Sequence, residues 1–330
     1  MRAPGFWDNP PDRPGAVARM LTPLSWIWAA GTRRRLAGDV RARAAVPVIC
    51  VGNLTVGGTG KTPAVIALCD RIRGRGRAPV VISRGHGGSL TGPVQVDPSR
   101  HGAADVGDEP LLLAAFGPVW IGRDRAATAR AAAADGADVL VMDDGFQNPA
   151  LAKDLSIIVV DARHGFGNGR VMPAGPLREP VAEGLARADL TLALGDRFSR
   201  AKLPEDWPAL SALPMLGGVL EPLPTGMDWR GLRAVAFAGI GRPDKFFATL
   251  RDLGADVVAA HGFADHAPFD RRVLARLEAE AKAAGARLVT TEKDAVRLPP
   301  AVLREVLVLP VRLALDDWAP LDAALARLRL

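Results

Sequence analysis

A glycine-rich run near the start of the chain has the residue types needed to bind phosphate. It occupies residues 55–62 and reads Thr-Val-Gly-Gly-Thr-Gly-Lys-Thr. Successive backbone N–H groups can curl around phosphate oxygens only where no Cβ blocks the approach. Lys61 would supply a positive charge for the β- and γ-phosphates, and Thr62 a hydroxyl for Mg²⁺. The predicted nucleotide-binding residues of this phosphate loop are Thr55, Val56, Gly57, Gly58, Thr59, Gly60, Lys61 and Thr62.

One position of the phosphate loop departs from the strict G-x-x-x-x-G-K-[ST] pattern, because Thr55 stands where the pattern has glycine. The alternative is an ordinary glycine-rich turn with a surface lysine. Apolar β-forming residues run up to Val51 before the loop, and a helical pattern begins at Pro63 after it. A proline costs little there, because first-turn N–H groups have no partner within the helix. The stretch therefore predicts a strand, a phosphate loop and a helix.

Carboxylates follow at two further places. Asp143 and Asp144 end an apolar strand-like run, where they could hold Mg²⁺ beside Thr62. The alternative is an Asp-Gly turn that needs no metal. Asp108 stands in Gly-Asp-Glu-Pro and is either the cap of a helix or the base that accepts a proton from an attacking hydroxyl. Its residue type leaves both interpretations open.

Three more chemically capable residues lie in predicted loops. His266 precedes a helix, and alone it is more typical of a surface or capping histidine than of a catalytic one. Arg178 and Glu179 could bind phosphate and metal-bound water respectively, or merely pair with other charges. They lie in a long Gly/Pro-rich stretch, residues 163–180, and loops of that length are usually functional or disordered.

The elements that must position these residues alternate along the chain. Continuous apolar strands separated by helical runs predict an α/β fold, P-loop NTPase-like, with a mostly parallel sheet and helices on both faces. A second strand–helix alternation begins near Leu232 and predicts a smaller α/β domain. The Pro-rich segment 213–224 is the predicted joint. The predicted division is an N-terminal helical, membrane-associating segment (1–45), a P-loop core (46–222) and a C-terminal domain closing the cleft (223–330).

The N-terminal segment concentrates the charge of the chain. Of the net charge of +6, most lies in the first 45 residues, which hold eight arginines and three aspartates. Trp26 and Trp28 precede three arginines at 33–35, a pattern typical of a helix in the headgroup region of an anionic membrane. The apolar part contains Pro23 and is shorter than the ~20 residues that a membrane span needs. The alternative is a helix packed on the main domain with a solvated basic face.

The length and composition of the chain limit its domain number and its cysteine chemistry. A chain of 330 residues can form one large or two medium domains. Cys50 and Cys69 lie in apolar segments, which predicts reduced core residues in a cytosolic protein rather than a disulfide or metal site. The first 19 residues contain no apolar run typical of a secretory signal. We expect no nucleic-acid partner and no obligate protein partner.

Several motifs together resemble the tetraacyldisaccharide 4′-kinases. The matching segments are collinear over about residues 45–300: VGNLTVGGTGKTP (51–63), SRGHGG (83–88), GDEP (107–110), DDGFQ (143–147), GPLRE (175–179), FAGIGRP (237–243), FADH (263–266) and TTEKD (290–294). That family carries Ser or Thr where Thr55 stands, so the departure noted above is a family feature. Ala267 follows His266 where many members have a second histidine.

The resemblance implies ATP- and Mg²⁺-dependent transfer of the γ-phosphoryl group to the 4′-hydroxyl of a tetraacylated glucosamine disaccharide 1-phosphate, giving lipid IVA in lipid A biosynthesis. It implies a peripheral enzyme at the cytoplasmic face of the bacterial inner membrane. Lys61 would be catalytic, together with Asp108 as base and His266 as the residue that orients it. The other implied site residues are Thr62, Asp143, Asp144 and Glu179 for the metal, and Arg125, Arg178 and Glu109 for the substrate or its phosphates.

Two rival functions remain, one from the same broad class of protein and one that is non-catalytic. One is a P-loop GTPase or metallochaperone-like nucleotide switch. Glu292-Lys293-Asp294 does not match the guanine-recognition pattern [NT]-K-x-D, because the lysine lies one position late, and this argues against GTP specificity. The other is a non-catalytic, nucleotide-gated binding module at the membrane, which would not turn over ATP when an acyl-disaccharide is added.

Overall fold

A computed structural model describes residues 4–38 and 42–330. The strands are β1 (Val48–Gly52), β2 (Pro79–Ser83), β3 (Val94–Gln95), β4 (Val119–Ile121), β5 (Val139–Asp143), β6 (Leu155–Asp161), β7 (Leu190–Leu194), β8 (Met215–Pro222), β9 (Arg233–Ala238), β10 (Asp256–Gly262), β11 (Arg287–Thr291), β12 (Leu307–Leu309) and β13 (Val311–Leu315). The α-helices are α1 (Ala16–Leu36), α2 (Lys61–Arg73), α3 (Ala103–Val106), α4 (Asp108–Ala114), α5 (Arg125–Ala134), α6 (Val181–Leu185), α7 (Arg197–Asp206), α8 (Pro243–Asp252), α9 (Arg271–Ala283), α10 (Glu292–Ala295), α11 (Pro300–Leu303) and α12 (Ala319–Arg327).

Nine strands form the larger sheet, in the order β13-β8-β7-β6-β1-β5-β2-β4-β3. All neighbours are parallel except the two edge strands, since β3 pairs antiparallel with β4, and β13 with β8. The central strands β1, β5 and β6 are buried along their whole length. Such continuous burial requires helices on both faces, and it explains the unbroken apolar runs in the sequence. We call this sheet with its helices the large lobe.

Two apolar cores cover the two faces of the larger sheet. One packs α2 and α12 against one face, with Val65, Leu68 and Leu325 among its buried residues. The other packs α1, α5, α6 and α7 against the opposite face, with Phe146 and Phe166 among its largest side chains. The predicted α/β fold with a mostly parallel sheet is therefore confirmed.

Four parallel strands form a second sheet, in the order β10-β9-β11-β12. Helix α8 covers one face with Phe246, Phe247 and Leu250, and α9 covers the other with Leu274 and Leu277. We call this sheet with its helices the small lobe. Its core is separate from those of the large lobe, as expected for a second α/β unit.

The segment predicted as the joint, residues 213–224, is instead mainly strand, because β8 occupies Met215–Pro222 and pairs with β7. The prolines that suggested a linker stand at its ends, where they disturb no interior ladder bond. The chain also returns to the large lobe after β12, since β13 pairs with β8 and α12 packs on the larger sheet. The predicted division at residue 223 stays a prediction, with residues 311–330 lying on the large lobe.

The C-terminal helix should therefore stabilise the large lobe. Leu325 is fully buried in the core that α2 shares, so Leu325→Ala should lower the free energy of unfolding by about 2–5 kcal/mol. Leu303→Ala is the matched control, because Leu303 is 38% exposed and should cost less than about 0.5 kcal/mol. Urea unfolding followed by circular dichroism measures both. Equal effects would contradict the assignment of α12 to the core.

Candidate active site

The phosphate loop follows the carboxyl end of β1, in the middle of the larger sheet. Thr55 forms an antiparallel bridge with Leu177, and the N–H of Val56 donates to the carbonyl of Pro176 at 2.8 Å. Thr55 is buried and has no positive φ, so glycine is not required at this position. This explains physically why the chain departs from the strict glycine pattern.

Gly60 gives the loop its turn into α2. It caps the helix with φ +89°, and a Cβ there would come within 2.5 Å of Leu194 Cδ1. Lys61 opens the helix and is only 9% exposed. Thr62 follows in the first turn, where the free N–H groups of α2 leave a partial positive charge.

The two acids lie at the end of the neighbouring strand. In the β1–β5 register Val51 pairs with Asp143, so Asp143 stands beside the start of the phosphate loop. Asp143 is 1% exposed, and neither carboxylate oxygen has a hydrogen-bond partner among the described residues. Burial raises the pKa of Asp143 to about 7, and the charge of Glu109 acts in the same direction. A buried carboxylate with free lone pairs is suited to a cation.

Asp144 differs from its neighbour because its charge is already paired. It adopts φ +48° and receives two hydrogen bonds from Arg178, at 2.8 and 3.1 Å. Lys61 Nζ lies 3.7 Å from its Oδ1. Burial alone would raise the pKa of Asp144, but Lys61 and Arg178 together hold it below the usual value. Asp144 is therefore ionised and holds Lys61 and Arg178 beside the loop.

Glu179 is 2% exposed, and its carboxylate already has two partners. Arg187 forms an ion pair with Oε2, and the Nε2 of Gln147 donates to Oε1 at 3.0 Å. Arg178 and Glu179 are adjacent in the chain, but Arg178 donates to Asp144, whereas Glu179 accepts from Gln147 and Arg187. The metal role predicted for Glu179 stays a prediction, with both oxygens engaged by protein groups.

Arg125 lies at the start of α5 and is buried, at 3% exposure. Burial lowers its pKa to about 10, while the charge of Asp143 acts to raise it. Its Nε has no hydrogen-bond partner among residues 4–38 and 42–330. A buried guanidinium with an unused donor beside the acids could receive a phosphate oxygen. The structure thus brings Arg125 to the predicted region.

Asp108 meets His266 where the two lobes touch. Asp108 begins α4 in the large lobe, and its Oδ2 lies 2.7 Å from Nδ1 of His266 in the loop after β10 of the small lobe. Burial acts to raise the pKa of Asp108, but the hydrogen bond from His266 and the positive charge of Lys293 lower it. The same bond raises the pKa of His266. The pair therefore favours a carboxylate facing an imidazolium.

Sequence reasoning assigned no role to the small-lobe residues around this pair. Lys293 Nζ lies 3.1 Å from Glu109 Oε1 and 3.4 Å from Asp265 Oδ1. Asp294, fully buried, accepts hydrogen bonds from the N–H of Gly239 and from Arg297. Lys293 therefore joins the two lobes, and Asp294 stabilises the small lobe. The carboxylate of Asp294 is engaged by protein groups and is not available to bind a guanine base.

The fold and the site together define a class. A strand, phosphate loop and helix stand beside a strand that ends in acids, and at the junction of the lobes the buried Asp108 pairs with the exposed His266. These are the parts of a P-loop phosphotransferase.

The chain belongs to the tetraacyldisaccharide 4′-kinase family, because the family model described as tetraacyldisaccharide-1-P 4′-kinase matches residues 17–329. The tetraacyldisaccharide 4′-kinase of Dinoroseobacter shibae is 62% identical over 326 residues, which is 98% of this chain and 97% of that relative. The one from Jannaschia sp. is 55% identical over 324 residues, 98% of each chain. The crystal structure of LpxK from Aquifex aeolicus in complex with ATP matches with a TM-score of 0.74 and 25% identity, covering 95% of this chain and 99% of that one.

These matches confirm the predicted family, the predicted kinase function and the P-loop fold, and they leave the GTPase or metallochaperone alternative without support. The individual site residues stay predictions. Within the described ranges, no group of three or more His, Cys, Asp or Glu side chains is arranged to hold a metal ion.

Two glycines of the phosphate loop should respond differently to the same substitution. Gly60→Ala should destabilise the fold by about 1–3 kcal/mol, because its φ is positive and the new Cβ meets Leu194. Gly58→Ala should leave stability unchanged, because its Cβ meets nothing within 4 Å, yet should weaken ATP binding by filling the cradle. Thermal melting and equilibrium ATP binding separate the two effects. Loss of stability in Gly58→Ala would contradict this loop conformation.

Proposed function

We propose that this chain transfers the γ-phosphoryl group of ATP to the 4′-hydroxyl of an acylated glucosamine disaccharide 1-phosphate. The observation that carries the proposal is the Asp108–His266 pair, a buried carboxylate with a lowered pKa held at the lobe junction near the phosphate loop. A carboxylate kept ionised can accept the proton of an alcohol as it attacks phosphorus.

The phosphate loop binds the nucleotide in this proposal. Backbone N–H groups of the glycine-rich part of the phosphate loop, residues 57–60, and of the start of α2 donate to the β- and γ-phosphate oxygens, and Lys61 neutralises part of their charge. Asp144 holds Lys61 in place through their ion pair. Catalysis of phosphoryl transfer is chiefly positioning and charge stabilisation, and this arrangement provides both.

Thr62 and Asp143 would hold Mg²⁺, and Asp144, whose oxygens Arg178 already engages, would be the second acid beside the metal. The fit rests on Asp143, whose two buried oxygens have no hydrogen-bond partner among the described residues and are suited to a divalent cation. A bound Mg²⁺ would neutralise charge on the β- and γ-phosphates. Arg125 and Arg178 flank the same acids and would contact the transferring phosphoryl group. Glu109 would contact the acceptor, held at the lobe junction by Lys293.

The chemical step follows from these positions. The 4′-oxygen of the acceptor forms a bond to the γ-phosphorus while the bond from that phosphorus to the β–γ bridging oxygen breaks, so ADP leaves. The hydroxyl proton passes to Asp108. His266 orients the carboxylate through the 2.7 Å hydrogen bond. Incubation of the chain with ATP, Mg²⁺ and a synthetic acylated disaccharide 1-phosphate tests this: we expect ADP and a bisphosphorylated product, and their absence would refute the proposed function.

Replacement of the proposed base should slow the chemical step selectively. Asp108→Asn should lower kcat by about 10²–10⁴ with little change in KM for ATP, because Asp108 lies outside the phosphate loop. Asp105→Asn is the matched control, since Asp105 caps α3 three residues earlier and should leave kcat unchanged. Steady-state kinetics measures both.

The pH dependence of kcat gives an independent test of Asp108 as the base. In His266→Ala the hydrogen bond that lowers the pKa of Asp108 is lost while burial still acts to raise it, so the acid limb of the kcat profile should move to higher pH. If the acid limb of the kcat profile lies at the same pH in His266→Ala as in the wild type, another residue is the base.

We further propose that α1 attaches the protein to the cytoplasmic face of the bacterial inner membrane, where its acylated substrate lies. Small residues of α1 such as Ser25 and Ala29 are buried against the large lobe, whereas Trp26 and Ile27 are 68% and 70% exposed. Three arginines, 33–35, end the helix. An apolar face beside basic residues suits an anionic membrane surface. In the described part of the chain no helix is long and apolar enough to cross a membrane.

Removal of the exposed apolar face should weaken membrane binding. The double variant Trp26→Ser, Ile27→Ser should bind vesicles containing phosphatidylglycerol about tenfold more weakly, because two exposed apolar side chains can no longer enter the lipid. Phe198→Ser is the control, since Phe198 is 79% exposed but lies on α7. Co-sedimentation with vesicles measures all three proteins. An equal loss for both variants would argue against a specific role for α1.

A further inference from the structure

We propose that Arg187 and Gln147 are positioning residues of this kinase, and that buried Glu179 serves as their anchor and not as a metal ligand. The inference rests on the proposed function. It assigns a task to three side chains whose contacts form one continuous network, from the surface at Arg187 to Lys61 of the phosphate loop.

Burial of Glu179 requires a compensating positive charge. Its carboxylate is 2% exposed, and a buried unpaired charge is strongly unfavourable. Arg187 lies on the outer side and forms an ion pair with Oε2, while its own side chain is 35% exposed. The charge of Glu179 is thus neutralised by a protein side chain, without a metal ion.

Gln147 connects this ion pair to the acids. Its Nε2 donates to Glu179 Oε1 and to the carbonyl of Asn53, both at 3.0 Å. Its Oε1 accepts from Arg178 at 3.3 Å. The opposite orientation of the amide would place its NH₂ group against the guanidinium of Arg178, so the network fixes a single orientation. Gln147 therefore transmits the position of Glu179 to Arg178.

Arg178 passes the constraint to the phosphate loop. Its guanidinium binds both oxygens of Asp144, and a two-bond contact of this kind fixes orientation as well as distance. Asp144 in turn pairs with Lys61. A change at Arg187 would therefore reach Arg178 through two intermediate side chains and Lys61 through four.

A second contact of Arg187 reaches the segment after β5 that carries Asp144. The guanidinium of Arg187 lies 4.7 Å from the ring centroid of Phe146, and Lys153 Nζ lies 5.7 Å from it. Phe146 follows the acids in the chain and packs on the end of β1, where a Cβ on Gly52 would come within 2.5 Å of Phe146 Cβ. The stacked arginine therefore holds the backbone that carries Asp144 as well as the carboxylate of Glu179.

The test is a double-mutant cycle on the full chain, assayed with ATP, Mg²⁺ and the acylated disaccharide 1-phosphate. Arg187→Met should lower kcat by about 10–100-fold with KM for ATP changed less than about threefold, because Arg178 is drawn from Asp144 toward the unneutralised Glu179. Glu179→Gln should have a smaller effect. The double variant should recover activity relative to Arg187→Met, since a neutral amide needs no cation.

Arg71→Met is the matched control. Arg71 also pairs with an aspartate, Asp322, and lies 5.1 Å from the ring of Trp318, but at the far end of α2. The Arg71→Met variant should have a lower melting temperature than the wild type but the same kcat. Arg187→Lys keeps the charge and should retain more activity than Arg187→Met. If Arg187→Met does not fold, the comparison of Arg187→Lys with Arg71→Lys decides instead.

The outcomes that would contradict the role of Arg187 can be told apart from those that would contradict the proposed function. If Glu179→Gln abolishes turnover and raises the Mg²⁺ requirement while Arg187→Met resembles Arg71→Met, Glu179 is a metal ligand and the inference is overturned. Additive losses in the double variant would also overturn it. Wild-type turnover is measured first, because its absence would overturn the proposed function itself, whereas normal turnover with an unaffected Arg187→Met refutes this inference alone.

Discussion

The balance of buried charge at the carboxyl edge of the larger sheet is the constraint on which the site depends. Lys61 and Arg178 neutralise Asp144, whereas Asp143 beside it has no partner among the described side chains and has a raised pKa. Two neighbouring carboxylates in different environments perform different tasks. Asp144 holds the side chains of Lys61 and Arg178 beside the phosphate loop, whereas Asp143 would be free to bind Mg²⁺ in the proposed mechanism. An arrangement that satisfied both acids would be more stable without ligand and less able to bind Mg²⁺ and triphosphate.

The acceptor side obeys a different constraint, because its two essential groups belong to different lobes. Asp108 is positioned by α4 of the large lobe, and His266 by a loop of the small lobe in which it adopts φ +58°. Lys293 and Glu109 pair across the same junction. The carboxylate is therefore tuned only when the lobes are together, since separation would remove the hydrogen bond that lowers its pKa. In the proposed mechanism, proton acceptance by Asp108 would in this way depend on contact between the lobes.

The sequence predicts the phosphate side better than the acceptor side, for a physical reason. Lys61 and Asp143 each follow a continuous apolar strand, and parallel strands bring their carboxyl ends to one edge, so local patterns suffice to place them together. Asp108 and His266 are 158 positions apart, and no local pattern pairs them; only the family resemblance did so. The strand β8 was predicted as a linker because its flanking prolines dominate the composition, although they lie at its ends. Arg187 carries no motif, and its role emerges only from contacts.

The N-terminal helix shows why composition alone could not decide between membrane contact and packing on the body. The sequence leaves the two interpretations as alternatives, but the helix both packs on the large lobe and exposes the apolar side chains that the proposed membrane contact needs. Ser25 donates to the carbonyl of Val171 at 2.6 Å, and Arg33 pairs with Glu183, so one side of α1 is docked near the stretch that carries Arg178. Its large apolar side chains face outward. Lipid bound to that outward face would therefore lie beside the element that positions Arg178, which brings an acylated substrate to the catalytic edge without its leaving the membrane surface.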